Sequence, residues 1–360
     1  MPLSNVRKHV HRLCLSLIVF ISAVFAAAAG PIFGGNLPAL RPSHVGEDMA
    51  QFDLALSYLQ AGDVARIQTL AWEVQWEPTG DYDFRGIDAT IQKLADKGVS
   101  AVWLLQPTPH PSSPWYSSSW ADWFLPKREI WPGLVRLNTA MALHIIEESK
   151  KVSAPTPLFQ LWNEPQGGKP GGSSQGKKGE WSPSIHELLF KLVKDLRAKG
   201  VSKDQIVGPA ISSFGEGKAS ESAEFSTMMP PSEFNWLAEC GYRAVHIRMS
   251  TGVGNGDLAR VKAGMKATIA GVTRNNSEYS WPKDQKVMVT EFYVTPGDVG
   301  VPIGRDMTPY HVIAFDLLKA SGFSHVMAWG LRPDEKDSAT DPWSRFGGLG
   351  NSLVRWRERG

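Results

Sequence analysis

Leu158-Phe-Gln-Leu-Trp-Asn-Glu-Pro165 and Lys286-Val-Met-Val-Thr-Glu-Phe292 are the two stretches on which the fold turns. Each is a short apolar run that ends on a carboxylate. Near-continuous apolar runs of this length read as strands buried on both faces, the signature of a parallel sheet. Pro165 cannot extend a strand ladder, so the first run must stop at Glu164.

Working outward, the chain alternates strand-like and helix-like segments. Ile32 to Leu37, Ala65 to Trp72, Val99 to Gln106, Leu158 to Glu164, Gln205 to Ser212, Ala244 to Met249, Lys286 to Phe292 and His325 to Leu331 are predicted strands. Arg85 to Lys97 is a predicted helix that stops at Gly98. Leu134, Leu137, Met141 and Ile145 fall on one helical face. Ser184 with Glu187 predicts a capping box ahead of Leu188, Leu192 and Leu196. A helix is expected near Phe234 to Ala238, and another from Leu258 to Ile269. Thr308-Pro309 opens a further helix running to about Ala320, and Asn351 to Arg357 closes the chain. Eight strand–helix units in this length predict a single (β/α)8 barrel. Connections from helix to strand are short, whereas 107–131, 165–183, 213–232, 294–306 and 332–348 are long strand-to-helix loops. Such a barrel places its active site among the latter. Gln166 to Gly179, rich in Gly, Ser and Lys, reads either as a loop beside the site or as a surface loop with no role.

The first 29 residues stand apart from the barrel. Arg7, Lys8 and Arg12 precede an apolar run from Leu13 to Phe25 and small residues at Ala26 to Ala29. That order reads as a secretory signal peptide, with 30–360 as the catalytic domain and a secreted or periplasmic destination expected. The apolar run is short for a membrane span, and a retained anchor is the alternative. Cys14 falls in the signal, leaving Cys240 alone and no internal disulfide to form. A net charge of +2 without a long basic run excludes a nucleic-acid footprint. Tryptophan is abundant, at 14 residues. Its faces can carry sugar rings or fill a core.

Glu164 at a strand end can be partly desolvated, which raises a carboxyl's pKa and suits it to donate a proton. It could equally pair with a nearby cation. Asn163 beside it could hydrogen-bond a sugar hydroxyl. Glu291 follows a buried strand core, where an unpaired charge is costly. Arg66 on the second strand is a candidate partner that would keep it ionised. The alternative is a buried Arg–Glu pair that merely holds the barrel. Two carboxylates facing one gap are the minimum equipment for cleaving a glycosidic bond. Trp72, Trp115, Trp120 and Trp123 could line subsites or anchor loops. Glu73 and Glu77 are rival acids that follow a strand rather than end it. Metal ligands at usable spacing, a phosphate-cradling glycine loop and a Gly-x-Ser-x-Gly elbow are absent from the sequence, so no metal or cofactor is called for.

By this strand order the chain resembles the clan A glycoside hydrolases, retaining (β/α)8 glycosidases. There an Asn-Glu pair ends strand four, with the Glu as acid/base, and a second Glu ends strand seven as nucleophile. The resemblance implies those roles for Glu164 and Glu291. Family 39 looks most similar. Arg66, Trp72-Glu-Val-Gln-Trp-Glu-Pro78, Gly80-Asp-Tyr-Asp-Phe84 and Asp88 are similar to its opening strand-to-helix stretch. Trp329 matches the clan's sugar-platform tryptophan, and His246 the His of a His-x-Tyr pattern on strand six. Family 5 is similar in its Asn-Glu-Pro. The chain departs from the pattern at Arg248, which stands where that Tyr would be. Arg248 could read an acidic sugar, pair with Glu291 or point to solvent. The resemblance implies a retaining β-glycosidase acting on an oligo- or polysaccharide; with the signal-like start a secreted protein is expected, and a monomer. A non-catalytic sugar-binding barrel and a transglycosylase using the same carboxylates are the alternatives.

Overall fold

The computed structural model describes residues 30–38, 40–42, 45–70, 74–75, 80–106, 128–164, 183–213, 229–249, 255–278, 282, 285–302, 305–331 and 348–359. Residues 1–29, expected to be a signal peptide, Trp72, Glu73, Glu77, Trp115, Trp120, Trp123 and 166–179 lie outside the described residues. No helix among the described residues is long and apolar enough to cross a membrane.

Eight parallel strands close into one barrel in sequence order. They are β1 (Ile32–Leu37), β2 (Val64–Leu70), β3 (Ser100–Gln106), β4 (Leu158–Gln160), β5 (Ile206–Ser213), β6 (Tyr242–Arg248), β7 (Lys286–Tyr293) and β8 (His325–Ala328). The helices are α1 (Val45–Ser57), α2 (Arg85–Lys97), α3 (Trp131–Lys151), α4 (Pro183–Ala198), α5 (Leu258–Glu278), α6 (Pro296–Val299), α7 (Thr308–Lys319) and α8 (Leu349–Arg357).

Alternation along each strand sorts side chains between two cores. Val64, Val102, Val207, Ala210, Ala244, Met288 and Met327 fill the barrel interior. Residues of opposite parity, such as Ile67, Trp103, Val245 and Val289, join the helices in the outer core. The predicted stripe Leu134, Leu137, Met141 and Ile145 is buried on α3. Gly98 caps α2 in the left-handed conformation at φ 69°, where a Cβ is penalised. At Gly34 a Cβ would run into the Val64 carbonyl, so β1 can lie against β2 only as glycine.

Several predicted elements are redrawn. β4 stops at Gln160, and only a lone bridge between Asn163 and Ala210 continues the pairing. β8 likewise ends at Ala328 rather than Leu331. Ser184 lies inside α4, which already begins at Pro183, so it is no cap. Glu187 instead pairs with Arg128 and Lys191. The helix expected near Phe234 is two single 3₁₀ turns, Ser232–Phe234 and Leu237–Glu239. Between the turns Trp236 docks this connection onto α4, its buried indole donating to His186 Nδ1. Cys240 is buried and free, and burial pushes its thiol pKa up.

Candidate active site

Above the small apolar residues of the barrel interior lies a layer of polar ones. Asn36, Arg66, Gln160, His246 and Glu291 all enter it from the strands, at positions of interior parity or, for Glu291, after a register shift. Buried polar groups in such number persist only when they satisfy one another.

Arg66 is the hub. Its side chain is 1% exposed, and its Nη1 lies 2.6 Å from Glu291 Oε1. Nη1 also donates to Asn36 Oδ1 at 2.8 Å. Nε donates to Gln160 Oε1 at 2.8 Å and Nη2 to Asn163 Oδ1 at 2.8 Å. Four side chains, from β1, β7 and the β4 segment, are thus tied to one guanidinium. Burial pulls the Arg66 pKa below its ordinary value, and the Glu291 carboxylate beside it pulls the other way. The expected Arg66–Glu291 pair is present.

Glu291 is aimed by an irregularity in β7. Val245 pairs with Val289, but His246 pairs with Glu291, so Thr290 is an extra residue. Register slips at the same place against β8. A bulge of this kind bends a strand and re-aims a side chain, and such bulges favour the rims of barrels. Asn36 closes the gap. Its Nδ2 donates to the carbonyls of Thr290 and Ala328, at 3.0 and 3.1 Å.

Glu164 sits at the end of the irregular stretch after β4, with φ at 41°. A non-glycine residue held in the left-handed region carries strain, and such residues cluster at functional sites. Its side chain is a third exposed, against 11% for Glu291. His246 lies between the two. Nδ1 is 2.7 Å from Glu164 Oε1. Nε2 is 3.4 Å from Glu291 Oε1, too poorly aligned there for a hydrogen bond. The two carboxylates therefore converge on opposite edges of one imidazole.

Asn163 has its Oδ1 engaged by Arg66, which fixes the amide orientation and turns the Nδ2 donors elsewhere. Trp329 follows β8, shares the interior parity of Met327, and is anchored by its backbone N–H to the Phe292 carbonyl. It is partly exposed. Arg248 turns neither to Glu291 nor wholly to solvent. Its Nε donates to Asp298 Oδ1 at 2.8 Å. Asp88, part of the resemblance to family 39, pairs with His144 between α2 and α3.

Sequence reasoning passed over Asn36, Gln160, Tyr293 and Asp298. The first two carried a signal, being polar at interior parity in apolar strands. Tyr293 follows Glu291 by two residues and so shares its face. Burial pushes the Tyr293 phenol up to about 12, and the nearby Glu164, Glu291 and Asp298 carboxylates add to this while Arg248 opposes it.

Fold and site together define a (β/α)8 barrel with an acid pair on its C-terminal face, the face on which such barrels carry their active sites. Solved glycoside hydrolases share that fold. An exo-β-1,4-mannosidase from Opitutaceae bacterium strain TAV5 matches at a TM-score of 0.56 and 14% identity, over 92% of this chain and 59% of that one. A family 39 glycoside hydrolase from the gut symbiont Bacteroides cellulosilyticus WH2 matches at 0.54 and 12%, over 89% of this chain and 60% of that one. The chain thus spans less than two thirds of the length of either. GH5_18 from Streptomyces cattleya, in complex with GlcNAc, matches at 0.59 and 15%, over 92% of this chain and 82% of that one. The two families named from sequence, 39 and 5, both appear, and at these identities the likeness is one of fold. No family model and no curated protein matches the sequence.

Proposed function

We propose that the protein is a retaining β-glycosidase that hydrolyses an O-glycosidic bond of an oligo- or polysaccharide by double displacement. The observation that carries the reading is the convergence of Glu164 and Glu291 on His246. Glu164 protonates the departing oxygen while Glu291 attacks the anomeric carbon, forming a glycosyl ester. Glu164, now ionised, takes a proton from water as that water cleaves the ester.

The environments separate the two roles. Glu291 is the more buried acid and is held in place by Arg66 at 2.6 Å, as suits an attacking group that must be aimed. Glu164 is more open and reaches the rim, where a leaving group departs. A His246 with its ring proton on Nδ1 donates to the ionised Glu164, which leaves that carboxylate held at 2.7 Å while it takes a proton from water. Asn163 Nδ2 would donate to the sugar's 2-hydroxyl, and Trp329 would stack beneath the ring at the cleaved bond. The glycosidase neighbours support the fold this requires. The basic-then-apolar first residues support export to the periplasm or beyond.

The test is chemical rescue. Glu291→Ala should abolish turnover of an activated aryl glycoside, and added azide should restore product as a glycosyl azide of inverted anomeric configuration. Unchanged turnover in Glu291→Ala would remove Glu291 as nucleophile.

A further inference from the structure

Arg248 ends β6 two residues past His246, on the same face of the strand, roughly 6.6 Å further toward the rim. Its guanidinium is held from two sides. Nε donates to Asp298 Oδ1 at 2.8 Å, and the guanidinium carbon lies 5.9 Å from the centre of the Tyr293 ring. Asp298 cannot swing away. Its side chain is 2% exposed, and Oδ2 accepts from Thr295 N at 2.9 Å and Thr295 Oγ1 at 2.6 Å.

The Arg248 side chain, by contrast, is 40% exposed. Among the described residues no hydrogen bond reaches either of its η nitrogens. A pair that served only to fasten α6 would need no such exposure of the base; here the acid is buried and the base is presented. A guanidinium held through Nε, with no described residue on its terminal nitrogens, offers a planar fork of donors that matches a carboxylate. Its five N–H groups suffice for Asp298 and a second anion together. Two cations, Arg66 and Arg248, stand among three carboxylates, Glu291, Asp298 and Glu164, so the site is neutral in sum while Glu164 carries its acid proton.

We propose that Arg248 forms an anion subsite beside the reacting centre, and that the substrate is a glycan whose sugar there carries a carboxylate, a uronic acid. The inference rests on the glycosidase reading for the sugar's position, but its own prediction concerns binding.

The experiment measures binding by calorimetry on Glu291→Gln protein, in which turnover does not interfere. The ligands are matched oligosaccharide pairs in the glucurono, mannurono and galacturono series, each uronate set against its carboxyl-reduced counterpart. At least one uronate should bind more tightly than its neutral twin by on the order of tenfold, the range of a charge-assisted pair. The preference should shrink with added salt. In the double variant with Arg248→Met it should vanish, whereas Arg248→Lys should keep part of it, both melting as the parent does. No preference in any pair, or a preference that survives Arg248→Met, overturns the proposal. If the preference is found but the wild-type protein releases no product from the preferred uronate, the subsite stands and the hydrolase reading falls. If neutral glycosides are turned over and no uronate is preferred, the hydrolase reading stands and the subsite falls.

Discussion

Arg66 and Glu291 form an ion pair at 2.6 Å inside the barrel, with the guanidinium almost wholly removed from solvent. A charge so placed is tolerable only while paired, because the Coulomb attraction offsets a large desolvation cost. Three further side chains, Asn36, Gln160 and Asn163, accept from the same guanidinium. The geometry of the acid pair and the stability of the barrel therefore meet in one residue.

Removing that guanidinium should be costly in both respects. Arg66→Met leaves Glu291 buried without its cation and takes a donor from three amide oxygens. A loss of about 3–5 kcal/mol is expected. Arg66→Lys keeps the charge but lacks the fork that serves four partners, and should fall between Arg66→Met and the wild type. Urea unfolding of the three proteins measures it. A loss below about 1 kcal/mol in Arg66→Met, the scale of an exposed pair, would show that the barrel does not depend on this network.

Asn36 offers a separate handle on the β7 bulge. Its amide donates to the Thr290 and Ala328 carbonyls, and its oxygen accepts from Arg66. Asn36→Asp reverses the requirement at Nδ2, placing acceptor against acceptor. Asn36→Ala leaves two carbonyls and one Arg66 N–H without this partner. Both should lower kcat by roughly tenfold or more through misplacement of Glu291, since small displacements of a reacting group are expensive. KM should move less. Steady-state kinetics on an aryl glycoside decides, and an unchanged kcat in Asn36→Ala would mean that the bulge holds its shape unaided.

These residues also show where the sequence spoke and where it could not. The barrel was legible because the apolar runs, the αL glycine at Gly98 and the asymmetry of loop lengths are local signals. Glu164 and Glu291 were legible because a carboxylate at the end of an apolar run is out of place unless it is paired or put to use. Arg66 was matched to Glu291 across a long separation in sequence because both were charges in buried strands. Asn36 and Gln160 went unnoticed because an amide carries no charge to draw the eye, although its parity is the same. The exact end of β4 depends on tertiary pairing with β5, which no local pattern encodes. The partner of Arg248 could not be read, since Asp298 lies on a short helix in a long loop whose path is set by packing.

His246 provides a prediction on positioning. Its Nδ1 lies 2.7 Å from Glu164 and its Nε2 faces Glu291. His246→Phe removes the link between the carboxylates while keeping a planar ring. kcat should fall by about 10²–10³, in keeping with the loss of a preorganised hydrogen-bonding group. The loss should fall on kcat more than on KM, because Glu164 loses the contact that aims it. An unchanged kcat would reduce His246 to packing.

Two other histidines should govern acid stability. His311 is buried with Nδ1 near Ser352 Oγ and Nε2 donating to the Val294 carbonyl, so the neutral ring is the form that fits. Burial lowers its pKa from 6.5 to about 4, and that of His325 likewise to about 4. Between those limits the unfolded chain binds protons that the folded chain refuses, so folding stability rises with pH. The contribution is fully present above about pH 6.5 and is lost as pH falls toward 4, on the order of 2–3 kcal/mol for each buried ring. Urea midpoints measured from about pH 7 to about pH 4 should fall accordingly. His311→Gln, which keeps a donor toward Val294 but does not titrate, should flatten part of that slope. An equal slope in the variant would move the acid sensitivity elsewhere.

Glu164 gives the sharpest division of roles. Glu164→Gln keeps the side-chain shape and a hydrogen bond to His246 Nδ1, but it can neither donate a proton to a leaving group nor take one from water. Substrates with poor leaving groups need that proton to form the glycosyl ester, so their kcat/KM should fall by about 10²–10⁴, the range of general acid catalysis. Substrates with very good leaving groups form the ester without help and should lose little in kcat/KM. Their kcat should still drop, because breakdown of the ester then lacks a base and becomes limiting. A burst of released aglycone followed by a slow steady state would be the visible sign, and azide should speed that steady state. Equal losses in kcat/KM for good and poor leaving groups would show that the 2.7 Å contact with His246 positions a bystander.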